Sequence, residues 1–249
     1  NRMDFGPRRL RLYSSIWSRA RALIAVSDSA RGDVSAMFHI GPDKFTVIRN
    51  GFRRAFLTTT VSKDERSDFR RGLDIPQTAP LAVTVGRVSR HKGAFLLVQA
   101  VAALSAAFPD LHVLFAGDDD ETPQVSELAS RLGVRGRVRF LGRRSDVPRL
   151  LRMADLFVFP SLFEGMPFAL LEAMASGLPC VASDLPCIRE VMRHGIDGLC
   201  CQTGDASSLA QAMAAVLSDK PMSERLARSA AERSLLFTAD RMVEQTLGL

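Results

Sequence analysis

The chain has 249 residues, of which 47% are hydrophobic and 24% are charged, with a net charge of +6. This composition is typical of a globular protein with a full core, and it excludes a disordered or collagen-like chain. No apolar run reaches the roughly 18 residues that a membrane-spanning helix requires. The cysteines form no CxxC pair, which favours free thiols in a reducing cytosol over a disulfide scaffold or a structural zinc site. They are Cys180, Cys187, Cys200 and Cys201.

The beginning of the chain contains one small unit with parallel-sheet periodicity. Its predicted elements are, in order, a strand, a helix and a strand over residues 22–26, 29–38 and 45–48. One such unit cannot cover both faces of a sheet. Residues 1–50 are therefore predicted to be the remnant of a preceding domain, with apolar residues such as Ile24, Val26 and Ile48 exposed. The polar, proline-punctuated residues 51–79 are predicted to connect this unit to a larger domain.

From about residue 80, short apolar runs alternate with segments of helical periodicity. Six strands are predicted, over residues 81–85, 111–116, 138–141, 156–159, 179–182 and 198–201. The alternation favours parallel strands joined by right-handed helical crossovers. The expected fold is a doubly wound, Rossmann-like α/β sheet over residues 80–235, with its ligand at the carboxyl ends of the strands. Residues 236–249 are predicted to form a helix that packs back toward the N-terminal part.

The first of two candidate ligand loops lies over residues 86–93, between a predicted strand and a helix. Arg87 and Lys92 add two cations where the N–H groups at a helix N-terminus attract anions. This arrangement suits a diphosphate, although the loop is not a Walker motif, because GxxxxGK[ST] is absent. A solvated basic turn is the alternative.

The second candidate loop follows the predicted strand at 156–159. Glu164 lies in the loop and Glu172 in the next helix, with seven residues between them. Gly165 lets the backbone approach a ligand closely, and Pro167 suits a first helical turn. A loop carboxylate can accept hydrogen bonds from sugar hydroxyls, and a helix carboxylate can hold a ribose diol. A pair of surface glutamates is the alternative.

Taken together, these segments resemble the retaining family 4 glycosyltransferases of the GT-B fold, a group that includes bacterial mannosyltransferases and sucrose synthases. The resemblance covers nearly the whole chain, and its ordered motifs are specific. They are GRVSRHKG at 86–93, FAG at 115–117, FLGRRSDVPRLLRMADLFVFPS at 140–161, EGMPFALLEAMASGLPCVASD at 164–184 and HGIDGL at 194–199. Upstream, IAVSDSARGDV at 24–34 and VIRNGF at 47–52 resemble the end of the first domain of that family.

The resemblance implies a site for a nucleotide-diphosphate sugar. Arg87 and Lys92 would hold the diphosphate and stabilise it as the leaving group, which agrees with the charge that develops there. Glu164 would contact the donor sugar and Glu172 the ribose. Further donor contacts are implied, mostly through the backbone, for Gly165, Met166, Phe168 and Ala169, with Gly142, Arg143 and Arg144 beside the base.

The implied reaction is transfer of a hexose to an acceptor hydroxyl with retention of configuration, in bacterial polysaccharide or glycolipid synthesis. No resident cofactor or metal is implied. The acceptor would be a carbohydrate or a lipid-linked sugar, and the location cytoplasmic. Residues 1–71 hold 15 Lys and Arg against 7 Asp and Glu. This excess allows peripheral contact with the inner face of a membrane, although a solvated arginine-rich surface is the simpler interpretation.

Two other functions are compatible with parts of the sequence. A nucleotide-sugar-binding module or an inactive partner subunit would bind the same donor without transferring the sugar. Binding to nucleic acid is disfavoured, because the basic excess lies outside the predicted cleft and a single Trp and a single Tyr offer no stacking platform.

The chain departs from the family pattern at three places. Asp118, Asp119 and Asp120 follow Gly117 where many relatives have Gly-x-Gly-Pro, and a polar loop is favoured there over a metal site. After Pro186, Cys187 stands where glycine is common, which is expected to alter the loop before Glu190. Pro167 removes one N–H group that glycine would offer.

Overall fold

The computed structural model describes residues 7–118 and 121–248, whose strands form two parallel sheets. The small sheet pairs β1 (Leu23–Ala25) with β2 (Phe45–Val47). The large sheet has six strands: β3 (Leu81–Val85), β4 (His112–Ala116), β5 (Val138–Phe140), β6 (Leu156–Phe159), β7 (Cys180–Ser183) and β8 (Leu199–Cys201). Its spatial order is β5-β4-β3-β6-β7-β8, and all its pairs are parallel. The predicted doubly wound α/β sheet is confirmed.

Twelve α-helices are described in these two ranges. The first four are α1 (Pro7–Arg19), α2 (Asp28–Phe38), α3 (Ala55–Thr58) and α4 (Lys63–Gly72). The crossovers of the large sheet contain α5 (Ala94–Ala103), α6 (Thr122–Arg131), α7 (Val147–Met153), α8 (Phe168–Ala175) and α9 (Pro186–Val191). The chain then continues through α10 (Ala206–Ser218), α11 (Lys220–Ser234) and α12 (Ala239–Leu247). None of the described helices is long and apolar enough to cross a membrane.

The large sheet is buried on both faces. Alternate residues of β3 enter two different hydrophobic clusters, with Leu81 and Val83 in one and Ala82 in the other. This follows from the two-residue period of a strand, whose successive side chains point to opposite faces. Each fully buried Leu or Val contributes roughly 1.5–3 kcal/mol relative to an exposed position. The near-continuous apolar character of the strands therefore reflects helices on both sides.

The segment predicted as a connection, residues 51–79, contains α3 and α4 and packs on the large sheet. Phe52 and Phe56 are buried in the same cluster as Leu81. In α4 the buried residue is Arg70, whose guanidinium donates to the Ala79 carbonyl at 2.7 Å and to Asp155 at 2.8 Å. A charged side chain thus occupies the buried side of α4, so apolar periodicity does not reveal this helix.

We expect Asp155→Ala to lower the free energy of unfolding by about 2 kcal/mol, a value reduced for the partial exposure of this carboxylate. The substitution leaves the buried Arg70 without its counter-charge and removes the acceptor of the Leu81 N–H, which lies 2.9 Å away. Denaturant unfolding followed by circular dichroism measures the loss. Asp68→Ala is the control, because Asp68 forms an exposed pair with Arg71. Equal unfolding free energies for the two variants would contradict this role.

The N-terminal unit is less exposed than expected. Ile24 is 53% exposed, as predicted, but Ile48 is only 4% exposed. Val26 is partly buried against the cluster that contains Leu81. The expectation of exposure is therefore wrong for Ile48 and for Val26, and Val26 is covered because this unit packs against the larger one. After α11 the chain returns to the connecting segment, where the Ala239 N–H donates to the Phe52 carbonyl at 3.0 Å.

Candidate functional site

The order of the large sheet places both candidate loops side by side. β3 and β6 are parallel neighbours, and the strand order runs outward from this pair in both directions. β4 and β5 lie beyond β3, and β7 and β8 lie beyond β6. In a doubly wound sheet, the helices that follow the two strands of such a switch point lie on opposite faces, which opens a ligand crevice at the carboxyl ends of the strands. The loop with Arg87 and Lys92 follows β3, and the loop with Glu164 follows β6.

Glycines allow these loops to approach each other closely. Gly93 has φ of +73°, and a Cβ there would lie 2.0 Å from the Pro160 carbonyl oxygen. A Cβ on Gly117, at the end of β4, would lie 1.9 Å from the Gly86 carbonyl oxygen. Backbone cannot yield to such contacts, so a larger residue would separate the strand ends. The Leu162 N–H also donates to the His91 carbonyl at 2.9 Å, which ties the two loops together.

Lys92 and Glu164 form an ion pair across the crevice. The Lys92 Nζ lies 2.5 Å from Glu164 Oε1, and the Glu164 side chain is only 9% exposed. The same ammonium lies 5.6 Å from the centre of the Phe159 ring. The structure therefore brings together two residues predicted for the site, which are 72 residues and three crossovers apart in sequence. Arg87 is exposed at the tip of its loop.

Residues 161–167 are defined here as the donor loop. Two successive backbone carbonyls of this loop accept hydrogen bonds from side chains outside it. The Glu164 carbonyl accepts a hydrogen bond from Cys187 Sγ at 3.3 Å, and the Gly165 carbonyl accepts one from Ser27 Oγ at 2.7 Å. Cys187 lies in α9 (Pro186–Val191), so the segment before Glu190 is a helix rather than the predicted loop, and the thiol contacts the donor loop instead. Sequence reasoning missed Ser27 as a site residue; its only local signal is its position as the N-cap of α2.

The backbone N–H groups predicted to face the nucleotide sugar differ in whether they already donate a hydrogen bond within the chain. The N–H groups of Gly165 and Met166 meet no acceptor among the residues that the structure describes, and the same holds for Ala169 in the first turn of α8. The Phe168 N–H donates to the Met166 carbonyl at 3.1 Å and is engaged within the chain. The Phe168 side chain is exposed, whereas that of Met166 is buried.

Glu172 lies in the second turn of α8 and is half-buried. Burial raises its pKa from 4.5 to about 7, and the nearby Arg53 guanidinium only partly opposes that rise. No hydrogen bond to its carboxyl group is found in the described ranges. A carboxyl group that holds its proton near pH 7 without a protein partner is a candidate for ligand contact.

The residues predicted to border the base, which are Gly142, Arg143 and Arg144, lie at the same edge of the sheet. Gly142, with φ of +62°, pairs with Gly117 where β5 and β4 end. Arg144 is held by Asp146 in a two-pronged ion pair, with N–O distances of 2.8 and 2.6 Å. That hydrogen bonding raises the pKa of Arg144 and lowers that of Asp146. Arg143 is exposed beside them.

Two cavities lie on the side of the molecule that contains β7, β8, α9 and α11, away from Gly142, Arg143 and Arg144. One, of about 320 Å³, is lined by residues that include Arg49, Glu190 and Arg233. The other, of about 440 Å³, is lined by residues that include Asp184 and His194. No residue predicted for the donor lines either of these two cavities.

Metal ligands are not clustered in the described part of the chain. Within residues 7–118 and 121–248, no three His, Cys, Asp or Glu side chains lie close enough together to hold an ion. Asp118 is exposed. Asp119 and Asp120, the other two aspartates of the candidate metal site, lie outside the described residues.

Comparison with known proteins gives consistent matches. A family model described as "Glycosyl transferases group 1" matches residues 65–233. Uncharacterized glycosyltransferase MJ1607 of Methanocaldococcus jannaschii is 30% identical over 210 residues, which are 84% of this chain and 54% of that protein. The N,N'-diacetylbacillosaminyl-diphospho-undecaprenol alpha-1,3-N-acetylgalactosaminyltransferase of Campylobacter jejuni is 28% identical over 242 residues, covering 96% and 62%.

A solved structure matches over almost the whole chain. Anabaena Alr3699/HepE, in complex with UDP-glucose, is 25% identical with a TM-score of 0.88, over 98% of this chain and 69% of that one. The chain spans 54% and 62% of the two curated relatives, from Methanocaldococcus jannaschii and Campylobacter jejuni respectively. The match of the family model begins at residue 65, inside α4.

Proposed function

The chain belongs to the glycosyl transferases group 1 family, and we propose that it binds a nucleotide-diphosphate sugar and transfers the sugar to an acceptor hydroxyl with retention of configuration. The observation that carries the proposal is the ion pair of Lys92 and Glu164 at the switch point of the sheet. Beside it lie two amides, of Gly165 and Met166, that meet no acceptor in the described ranges. A cation, a carboxylate and free N–H groups match a diphosphate joined to a sugar.

The reacting bond joins the sugar C1 to an oxygen of the diphosphate. As it breaks, its electron pair passes to the diphosphate, whose negative charge rises. Lys92 and Arg87 stabilise that charge, together with the N-terminus of α5, which begins directly after Gly93. Glu164 fixes the Lys92 ammonium and accepts hydrogen bonds from sugar hydroxyls. Glu172 accepts hydrogen bonds from the ribose, and the backbone near Gly142 borders the base.

Retention requires the acceptor oxygen to bond C1 on the face that the diphosphate leaves. The departing diphosphate oxygen is then close enough to take the proton of the acceptor hydroxyl. No side chain has to act as the attacking base, and no metal has to carry the charge. The proposed displacement therefore needs positioning and electrostatic stabilisation, which the residues at the crevice supply.

The acceptor and the location belong to the proposal as well. The Campylobacter jejuni relative is named for a diphospho-undecaprenol acceptor, and we assign this chain a lipid-linked or carbohydrate acceptor in polysaccharide or glycolipid synthesis on the cytoplasmic side. In α1, Leu12 and Ile16 are exposed beside Arg11 and Arg19. An exposed apolar edge with flanking arginines suits peripheral contact with an anionic membrane.

Calorimetry and product analysis test the proposed function. We expect UDP-glucose to bind the chain and NAD⁺, a dinucleotide with the same diphosphate, to bind more weakly. With a lipid-linked diphosphate sugar as acceptor, the anomeric coupling in the product is expected to match that of the donor, and EDTA is expected to leave the rate unchanged. Equal binding of the two nucleotides, inversion at C1, or loss of transfer in EDTA restored by a divalent ion would each contradict the corresponding part of the proposal.

A further inference from the structure

Ser27 connects the N-terminal unit to the donor loop, although the two are 138 residues apart in sequence. Its side chain is fully buried. Its Oγ accepts the Ala30 N–H at 2.9 Å, as the N-cap of α2, and donates to the Gly165 carbonyl at 2.7 Å. A single hydroxyl therefore caps a helix and fixes one peptide of the donor loop.

The direction of that peptide follows from its planarity. In a trans peptide the N–H points opposite to the C=O, and the described peptide bonds contain no cis form. Because the Gly165 carbonyl points at Ser27, the Met166 N–H points away from it. In the same way, the Glu164 carbonyl points at Cys187, and the Gly165 N–H points away. Both N–H groups are thus turned from these packing partners and left without an acceptor in the described ranges.

Glu190 fixes the position of Ser27. Its carboxylate accepts the N–H groups of Asp28 and Ser29, at 3.0 and 2.8 Å, and an Arg49 Nη2–H at 3.0 Å. These contacts dock the N-terminus of α2, where the partial positive charge of a helix favours a carboxylate. Glu190 lies in α9, the helix that also carries Cys187. One helix therefore holds both the donor loop and the unit that contains Ser27.

We propose that Ser27 and Glu190 are positioning residues for the donor: they dock α2 so that the Ser27 hydroxyl turns the 165–166 peptide and presents its N–H to the nucleotide sugar. The inference rests on the proposed function for the identity of the ligand. It assigns to the N-terminal unit a part in binding the donor, in addition to any contact with an acceptor. Separation of α2 from α9 would release the Gly165 carbonyl and weaken the donor site.

Ser27→Ala tests the inference, with Ser62→Ala as the matched control. Ser62 also caps a helix, since its Oγ accepts the Glu65 N–H, but it has no contact with the donor loop. We expect Ser27→Ala to weaken UDP-glucose binding about fivefold, the equivalent of one hydrogen bond, and Ser62→Ala to leave it unchanged. Ser27→Thr, which keeps the hydroxyl, is expected to restore binding. Calorimetry measures all three affinities.

Amide hydrogen exchange in the ligand-free protein gives a second readout that does not depend on the ligand. We expect faster exchange in Ser27→Ala, but not in Ser62→Ala, at the hydrogen-bonded N–H groups at the two ends of the donor loop, which are those of Leu162 and Phe168. Should Ser27→Ala not fold, Glu190→Gln takes its place, because it weakens the docking of α2 without emptying a buried site. Unchanged affinity and unchanged exchange in the folded variant would overturn the inference. Altered exchange in a protein that binds no nucleotide sugar would support the positioning role and refute the proposed function.

Discussion

Replacement of Lys92 by alanine is expected to lower the rate of sugar transfer by about 10²–10³-fold, the usual cost of removing one group that stabilises charge in a transition state. Lys92 is the only lysine at the switch point within the described residues, and Glu164 holds its ammonium at 2.5 Å. The diphosphate gains charge as the C1–O bond breaks, so the loss falls more on the rate than on ground-state binding. Steady-state kinetics with UDP-glucose measure it.

The same substitution has a structural cost that must be separated from the catalytic one. Without Lys92 the Glu164 carboxylate, which is only 9% exposed, loses its counter-charge. We expect a loss of about 2 kcal/mol in unfolding free energy, since one partner of a largely buried pair is left alone. In the double variant Lys92→Ala/Glu164→Gln, neutralisation of that carboxylate is expected to restore stability but not transfer.

Lys63→Ala is the control for loss of a lysine, because Lys63 is exposed at the start of α4, outside the predicted crevice. It is expected to keep wild-type stability and transfer. If the double variant recovered transfer together with stability, Lys92 would have only a structural role.

Much of the site could be predicted because its determinants are local. The strands at 81–85 and 156–159 are short apolar runs, and each is followed by polar residues that precede a helix. These patterns place the loops with Lys92 and Glu164 at the carboxyl edge of the sheet. The reversal of strand order between β3 and β6 then brings the two loops together.

The features that could not be predicted depend on distant contacts or on buried charge. The hydrogen bond from Ser27 to the Gly165 carbonyl joins residues 138 apart, so no local pattern reveals it. Helix α4 buries Arg70 instead of an apolar side chain, and its pattern resembles a solvated segment. In α1, Trp17 packs against Phe38 of α2, at 4.5 Å between ring centres. That packing depends on the tertiary arrangement of two helices rather than on the sequence of either.

Binding of UDP-glucose is expected to weaken about tenfold for each pH unit below 7, because the ribose binds the ionised form of Glu172. Burial holds the pKa of this carboxyl group at about 7 in the free protein. A carboxylate that accepts hydrogen bonds from hydroxyls has a lower pKa, so the complex releases a proton. UDP-glucose suits this test because its diphosphate is esterified at both ends and has no group that titrates near pH 7.

Stability has the opposite dependence on pH. The pKa of Glu172 in the folded chain lies above its ordinary value of 4.5, so between these values the folded state keeps a proton that the unfolded state has lost. The free energy of unfolding therefore decreases as the pH rises through this window. Relative to Glu172→Gln, the wild-type chain is expected to lose stability on moving from pH 4.5 to 7, while its affinity for UDP-glucose increases.

Calorimetry in buffers of different ionisation enthalpy counts the protons released on binding at pH 6 to 8. Glu172→Gln is expected to bind UDP-glucose weakly and without pH dependence in this range, since an amide carries no titrating proton. Glu127→Gln, at an exposed position of α6, controls for loss of a glutamate and is expected to match the wild type. An affinity that does not change with pH in the wild-type chain would remove Glu172 from the ribose site. So would a pH dependence that persists unchanged in Glu172→Gln.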